Sequence, residues 1–182
     1  LVVLFAVVAG FAVAQAAGRR GSDDALTGDI RQTTRDQVLE AQRAMGEGRY
    51  LDAINLYDEV IAAAPSNTEA RTYKGWLLLL SAKQAPAGPD RDLLQTRALA
   101  ELDKAVELAP DYPDARVFRA NAYCDLGRPA DGLADLATLK AGSVPPDLDA
   151  LVGQLRTRLT QQAGAAATPP PAPSTTAPTP AG

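Results

Sequence analysis

Residues 48–65 read GRYLDAINLYDEVIAAAP, and residues 98–110 read ALAELDKAVELAP. Ala53, Tyr57, Val60 and Pro65 of the first stretch are spaced as Ala98, Leu102, Ala105 and Pro110 of the second. Gly127, Gly132, Leu136 and Leu139 repeat the early part again, on the spacing of Gly48, Ala53, Tyr57 and Val60. The match continues beyond each proline. Pro65 leads to Ala70, Gly75 and Leu78, and Pro110 to Ala115, Ala120 and Tyr123, at equal offsets. Apolar residues three and four apart line one face of a helix, and a proline closes it. Each repeat therefore holds two helices, and a chain of such repeats is all-α with its core between units.

Each repeated residue has a physical task. Gly75 and Ala120 stand where two helices of one hairpin approach closely, with Ala53 and Ala98 as the small residues opposite. Tyr57 and Leu102 fill the space between neighbouring units. Gly48 and Gly127 end a helix in the left-handed conformation that glycine adopts at no steric cost. Pro65 and Pro110 stop the second helix.

This pattern resembles the tetratricopeptide repeat (TPR) family, whose unit is an antiparallel helical hairpin of about 34 residues. The resemblance implies three hairpins in a short right-handed solenoid. The expected units are residues 34–67, 68–112 and 113–146 within a domain of 33–162. Unit two is too long, and the excess, Lys83–Leu93 (KQAPAGPDRDL), is expected as a loop between its helices. Unit three is the poorest match, with Gly132 where Ala is usual and Val144 where Pro is usual. Residues 147–162 (DLDALVGQLRTRLTQQ) carry Leu148, Leu151, Val152, Leu155 and Leu159 at helical spacing, the mark of a capping helix.

Composition narrows the function. Lys and Arg number 18 and Asp and Glu 22, so the net charge is −4, which argues against nucleic acid as a partner. There is no His and a single Cys, Cys124. The chain thus lacks the commonest general base and metal ligand, and Cys124 is expected as a small buried apolar residue. No Gly-rich phosphate loop or set of paired carboxylates stands out. Asp52, Glu59, Asp103 and Asp135 sit on polar helix faces and read as solvated surface. The expectation is a non-enzyme with no cofactor and no small-molecule substrate.

The ends differ from the middle. Leu1–Ala17 (LVVLFAVVAGFAVAQAA) is uncharged and apolar. It is expected to be a transmembrane anchor, preceded by further residues, or else the core of a signal peptide ending in Ala14-Gln15-Ala16. Residues 18–32 form the expected linker. Residues 163–182 (AGAAATPPPAPSTTAPTPAG) have the composition of a disordered tail.

In stacked TPR units the first helices line a concave groove that takes a protein or peptide ligand. Carried over residue by residue, the groove positions are Arg35, Val38, Gln42 and Met45, then Glu69, Thr72, Trp76 and Leu79, then Asp114, Val117, Asn121 and Cys124. Trp76 suits either a binding anchor or packing between units. Some TPR domains clamp a C-terminal carboxylate with Lys, Arg and Asn. Only Asn121 matches that set, so such a clamp is disfavoured and an extended or helical segment fits better.

The block from Leu26 to Leu80 carries a narrower likeness. An anchor, Thr27-Gly28-Asp29-Ile30 and a first unit leading into Thr72-Tyr73-Lys74-Gly75-Trp76 is similar to actinobacterial TPR proteins of the CcmI/CycH type. That likeness implies a membrane-tethered, extracytoplasmic domain that holds apocytochrome c during haem attachment. The alternative is a general cell-envelope adaptor for assembly or secretion.

Overall fold

The computed structural model describes residues 23–140 and 142–167, with side chains from 32 to 166. The order is α1 (Asp23–Gly46), α2 (Tyr50–Ala63), α3 (Thr68–Gln84), α4 (Pro89–Leu108), α5 (Pro113–Asp125), α6 (Pro129–Ala137) and α7 (Pro146–Ala167). Consecutive helices pack as three hairpins, α1 with α2, α3 with α4 and α5 with α6, and α7 closes the end. No helix among the described residues is long and apolar enough to cross a membrane. The expected anchor, Leu1–Ala17, lies outside those residues.

The repeated small residues sit where the helices meet. A Cβ placed on Gly75 would come within 2.7 Å of Leu102 Cγ and 3.1 Å of the Ala98 carbonyl oxygen, so α3 lies directly on α4. Gly48 and Gly127 close α1 and α5 at φ 77° and 67°. Tyr57 and Leu102 are fully buried between units.

Three expected boundaries move. The segment expected as linker is helical from Asp23, where two acids favour a helix N-terminus. The expected loop over Lys83–Leu93 shrinks to residues 85–88, because its ends extend α3 and α4. Pro89 opens α4 with Asp90 and Asp92 in the first turn, Gly88 makes the bend at φ 149°, and Arg91 donates Nε to the Ala85 carbonyl at 3.0 Å. The capping helix runs on to Ala167, five residues past its expected end.

Gly132 has a cause outside its own hairpin. A Cβ there would lie 2.8 Å from Leu159 Cδ2 on α7 and 3.2 Å from the Ala120 carbonyl oxygen. The cap reaches further into unit three than a longer side chain would allow. Leu155 and Leu159 join Val117, Phe118, Cys124 and Leu136 in one buried cluster.

Charge also follows the repeat. On α3, Arg71 and Lys74 bind Glu101 of their own hairpin, each at 2.7 Å, and Lys74 reaches back to Asp58 of the preceding unit at 2.6 Å. On α5, Arg116 and Arg119 bind Asp135 at 3.0 and 2.6 Å, and Arg119 reaches back to Asp103 at 3.0 Å. Arg71 Nε donates to the Pro65 carbonyl and Arg116 Nε to the Pro110 carbonyl. Reading Asp135 as solvated surface is therefore corrected: it is 3% exposed and held by two guanidinium groups. Unit one has no such rung. Its corresponding α1 residues are Gln37 and Glu40, and Gln37 donates to Glu59 instead.

Candidate functional site: the inner face of the helical stack

α3 packs directly on α5, and α5 on α7, whereas α1 and α3, like the second helices of successive hairpins, meet little or not at all. The first helices α1, α3 and α5 form the row expected to face inward in such a stack. Two side-chain bonds tie that row together. Gln42 Nε2 on α1 donates to Glu69 Oε1 on α3 at 2.7 Å, and the Tyr73 hydroxyl on α3 donates to Asp114 Oδ2 on α5 at 2.8 Å.

The expected groove residues divide into two groups. Gln42, Met45, Glu69 and Trp76 are partly exposed on the inner row, and Arg35 is exposed. Val38, Thr72, Leu79, Val117, Asn121 and Cys124 are buried, as is Asp114. These buried side chains do not present a surface to a ligand in this conformation. Their positions fall at the seams between neighbouring first helices, where short side chains let the helices close up. Thr72 turns its hydroxyl back to the Thr68 carbonyl at 2.8 Å. Leu79, Val117 and Cys124 belong to the core cluster that Leu155 and Leu159 of α7 complete. Burial pushes the Cys124 thiol up, away from the thiolate form.

Trp76 packs between units, one of the two roles considered for it. Its indole stacks on the Phe118 ring of the next unit, centroids 4.5 Å apart and planes 14° from parallel, yet it keeps an exposed part. It is an interunit contact that also forms the aromatic floor of the inner face.

The structure adds residues that the repeat alone did not nominate. Tyr57 stacks on Tyr73 with centroids 6.4 Å apart, and Tyr73 meets Phe118 edge-on at 5.9 Å. Together with Trp76 they make an aromatic row from α2 through α3 to α5. A signal existed: Tyr73 and Phe118 occupy equal places after Pro65 and Pro110. Beside this row lies a polar group formed by Tyr57, Glu69, Tyr73, Tyr112 and Asp114. Burial, with the charges of Glu69 and Tyr112 added, pushes the Tyr57 phenol up. Burial and the bond to Asp114 do the same for Tyr73. Tyr112 is pushed up to about 12, first by burial and then by Asp114 and Glu69.

No protein-family model matches the chain, and no curated protein matches it significantly. Solved structures do match. The TPR2B domain of yeast Sti1, in complex with an Hsp70 peptide, superposes with a TM-score of 0.59 at 20% identity, over 72% of this chain and 98% of that one. The first TPR domain of Spaghetti (RPAP3), bound to the HSP90 peptide SRMEEVD, gives 0.55 at 18% identity, over 75% and 95%. The type III secretion translocator chaperone SycD of Yersinia enterocolitica gives 0.59 at 13% identity, over 75% and 96%. At these identities the likeness speaks to architecture, and the architecture of residues 23–167 is that of a TPR domain.

Proposed function

We propose that this chain is a scaffold whose inner face holds a segment of another protein, tethered to a membrane by Leu1–Ala17, with the helical stack on the extracytoplasmic side. The observation that carries the binding role is the inner row itself. Partly exposed Trp76 rests on the Phe118 ring, with Gln42, Met45 and Glu69 also partly exposed on the same row. A fixed aromatic surface bordered by hydrogen-bonding groups suits an extended or helical peptide, since little entropy is lost on binding. Two structural neighbours are complexes with peptides, which supports this use of the fold. The sharpest form of the proposal is capture of apocytochrome c during maturation, and it rests on the likeness of Leu26–Leu80 to that class.

The second reading is an envelope adaptor for assembly or secretion, which the likeness to a secretion chaperone favours. The test uses the full chain in membranes, challenged with synthetic apocytochrome c segments. Retention of those segments by the native chain, and its loss in Trp76→Ala, supports the cytochrome role. Absence of retention removes it. A reporter fused at the C-terminus that is active only in the cytoplasm overturns the placement.

A further inference from the structure

A cavity of about 340 Å³ opens at the seam between the first two hairpins, among α2, α3 and α4. None of its lining residues is an expected groove position. Ile54 and Leu78 give it an apolar lining, and Ala100 stands exposed beside them. A cavity of about 150 Å³ admits a benzene ring, so this one has room for a ring that carries a substituent.

The equivalent seam one unit later already holds a ring. The repeat sets Leu78 against Tyr123, Lys74 against Arg119, and Glu101 against Asp135. Tyr123 is 9% exposed, with the Arg119 guanidinium 5.8 Å and the Arg128 guanidinium 4.5 Å from its ring centre. A cation against the face of an aromatic ring is attracted to it. Leu78 supplies no ring, and Lys74 stands in the place of Arg119.

Charge at the open seam is unbalanced. Asp58 is paired with Lys74, and Glu101 is shared by Lys74 and Arg71. Arg97 lines the same cavity, is exposed, and pairs with no carboxylate among the described residues. Three cations thus meet two acids, which leaves one positive charge over. A guanidinium without a partner offers its forked donors to a carboxylate from outside.

We infer that this seam is a second binding site, which takes an aromatic side chain of a partner peptide together with an adjacent carboxylate. The ring enters beside Ile54 and Leu78, and the carboxylate pairs with Arg97. Burial of the ring supplies most of the affinity, and the acid fixes its orientation. The site is separate from the inner face and stands whether or not that face binds.

The experiment probes the full chain with immobilised degenerate peptides that carry a fixed central pair: Phe-Asp, Tyr-Asp, Ala-Asp or Phe-Asn. Phe-Asp and Tyr-Asp peptides are retained best. Ala-Asp peptides are weaker by roughly tenfold or more, the effect of one ring left unburied. Phe-Asn peptides are weaker by roughly threefold, as an exposed ion pair gives. Leu78→Tyr supplies the ring from within the chain and removes the preference for Phe over Ala. Ala100→Leu narrows the cavity from an exposed position and weakens the Phe and Tyr series alike; a thermal melt verifies that each variant folds. Arg97→Gln removes the preference for Asp over Asn. Equal retention of Phe-Asp and Ala-Asp peptides overturns the inference. A Phe preference that persists unchanged in Leu78→Tyr and Ala100→Leu also overturns it, because the ring then binds elsewhere. Equal retention of Phe-Asp and Phe-Asn peptides overturns the role of Arg97.

Discussion

Arg119 grips Asp135 with two nitrogens, Nε to Oδ2 at 2.7 Å and Nη2 to Oδ1 at 2.6 Å, joining the two helices of the third hairpin. Arg116 adds a third bond to the same carboxylate. Removing Asp135 would leave two partly buried guanidinium groups without their counter-charge. Asp135→Ala is expected to destabilise the fold by about 3 kcal/mol, read by urea denaturation. Asp103 binds the other side of Arg119, but its side chain is 49% exposed. Asp103→Ala should cost less than about 1 kcal/mol.

Gly75 and Gly132 both allow close helix contact, but they face different obstacles. A methyl at Gly75 meets the Leu102 branch carbon and backbone oxygen of α4. Gly75→Ala should destabilise by about 1–3 kcal/mol through overpacking. A methyl at Gly132 meets first the two terminal methyls of Leu159. Those can shift with α7, and the helix-propensity gain of about 1 kcal/mol offsets part of the strain. Gly132→Ala should leave global stability nearly unchanged but speed amide exchange in α7.

Leu159 itself is fully buried. Leu159→Ala is expected to cost about 2–5 kcal/mol. Combined with Gly132→Ala, the loss should be smaller than the separate effects added, because the new methyl enters the space that Leu159 vacates. Melts of the two single variants and the double variant measure this coupling.

The buried tyrosines set an alkaline limit. Tyr57, Tyr73 and Tyr112 all have phenols raised in the folded chain, Tyr112 to about 12. The unfolded chain loses these protons near pH 10, so above that it binds fewer protons than the folded chain. Stability therefore falls as pH rises from about 10 towards 12, and is unaffected by these groups below that window. Tyrosinate absorbance and helical circular dichroism should change together. Tyr112→Phe should move the midpoint upward.

Tyr57→Phe removes a buried hydroxyl that has no partner. The free protein should become equally or more stable, by up to about 1 kcal/mol, since no bond is lost and a polar group leaves the core. A lower melting temperature would show that the hydroxyl is satisfied in solution.

Much of the architecture was legible because it depends on short-range rules. Gly48, Gly127, Pro65 and the Gly75–Ala98 contact follow from turn geometry and helix approach, which a repeat imposes at fixed spacing. The inner face was legible only in part. Periodicity tells which way Thr72, Val117, Asn121 and Cys124 point. Their depth depends on how tightly neighbouring first helices close and on where α7 lies, and neither is local. Asp135 was misread for a related reason. Its partners Arg116 and Arg119 lie on another helix, so its own segment looks like a polar surface. The lengths of α3 and α4 were hidden by Pro86 and Pro89, which break a helix in one position and open one in another.

The ladder of Arg71, Lys74, Arg116 and Arg119 begins only at the second unit. α1 carries no cation of this ladder; it is tied to its neighbours by the Gln37–Glu59 and Gln42–Glu69 hydrogen bonds instead, and it packs mainly on α2. In a linear array each unit is held by its neighbours alone, so such an imbalance becomes a gradient of opening energies. The stack should therefore unzip from the α1 end, and a pull applied there would be absorbed by the first hairpin before it reached Trp76. The first hairpin would behave as a compliant hinge between whatever precedes it in the chain and the rigid remainder of the stack.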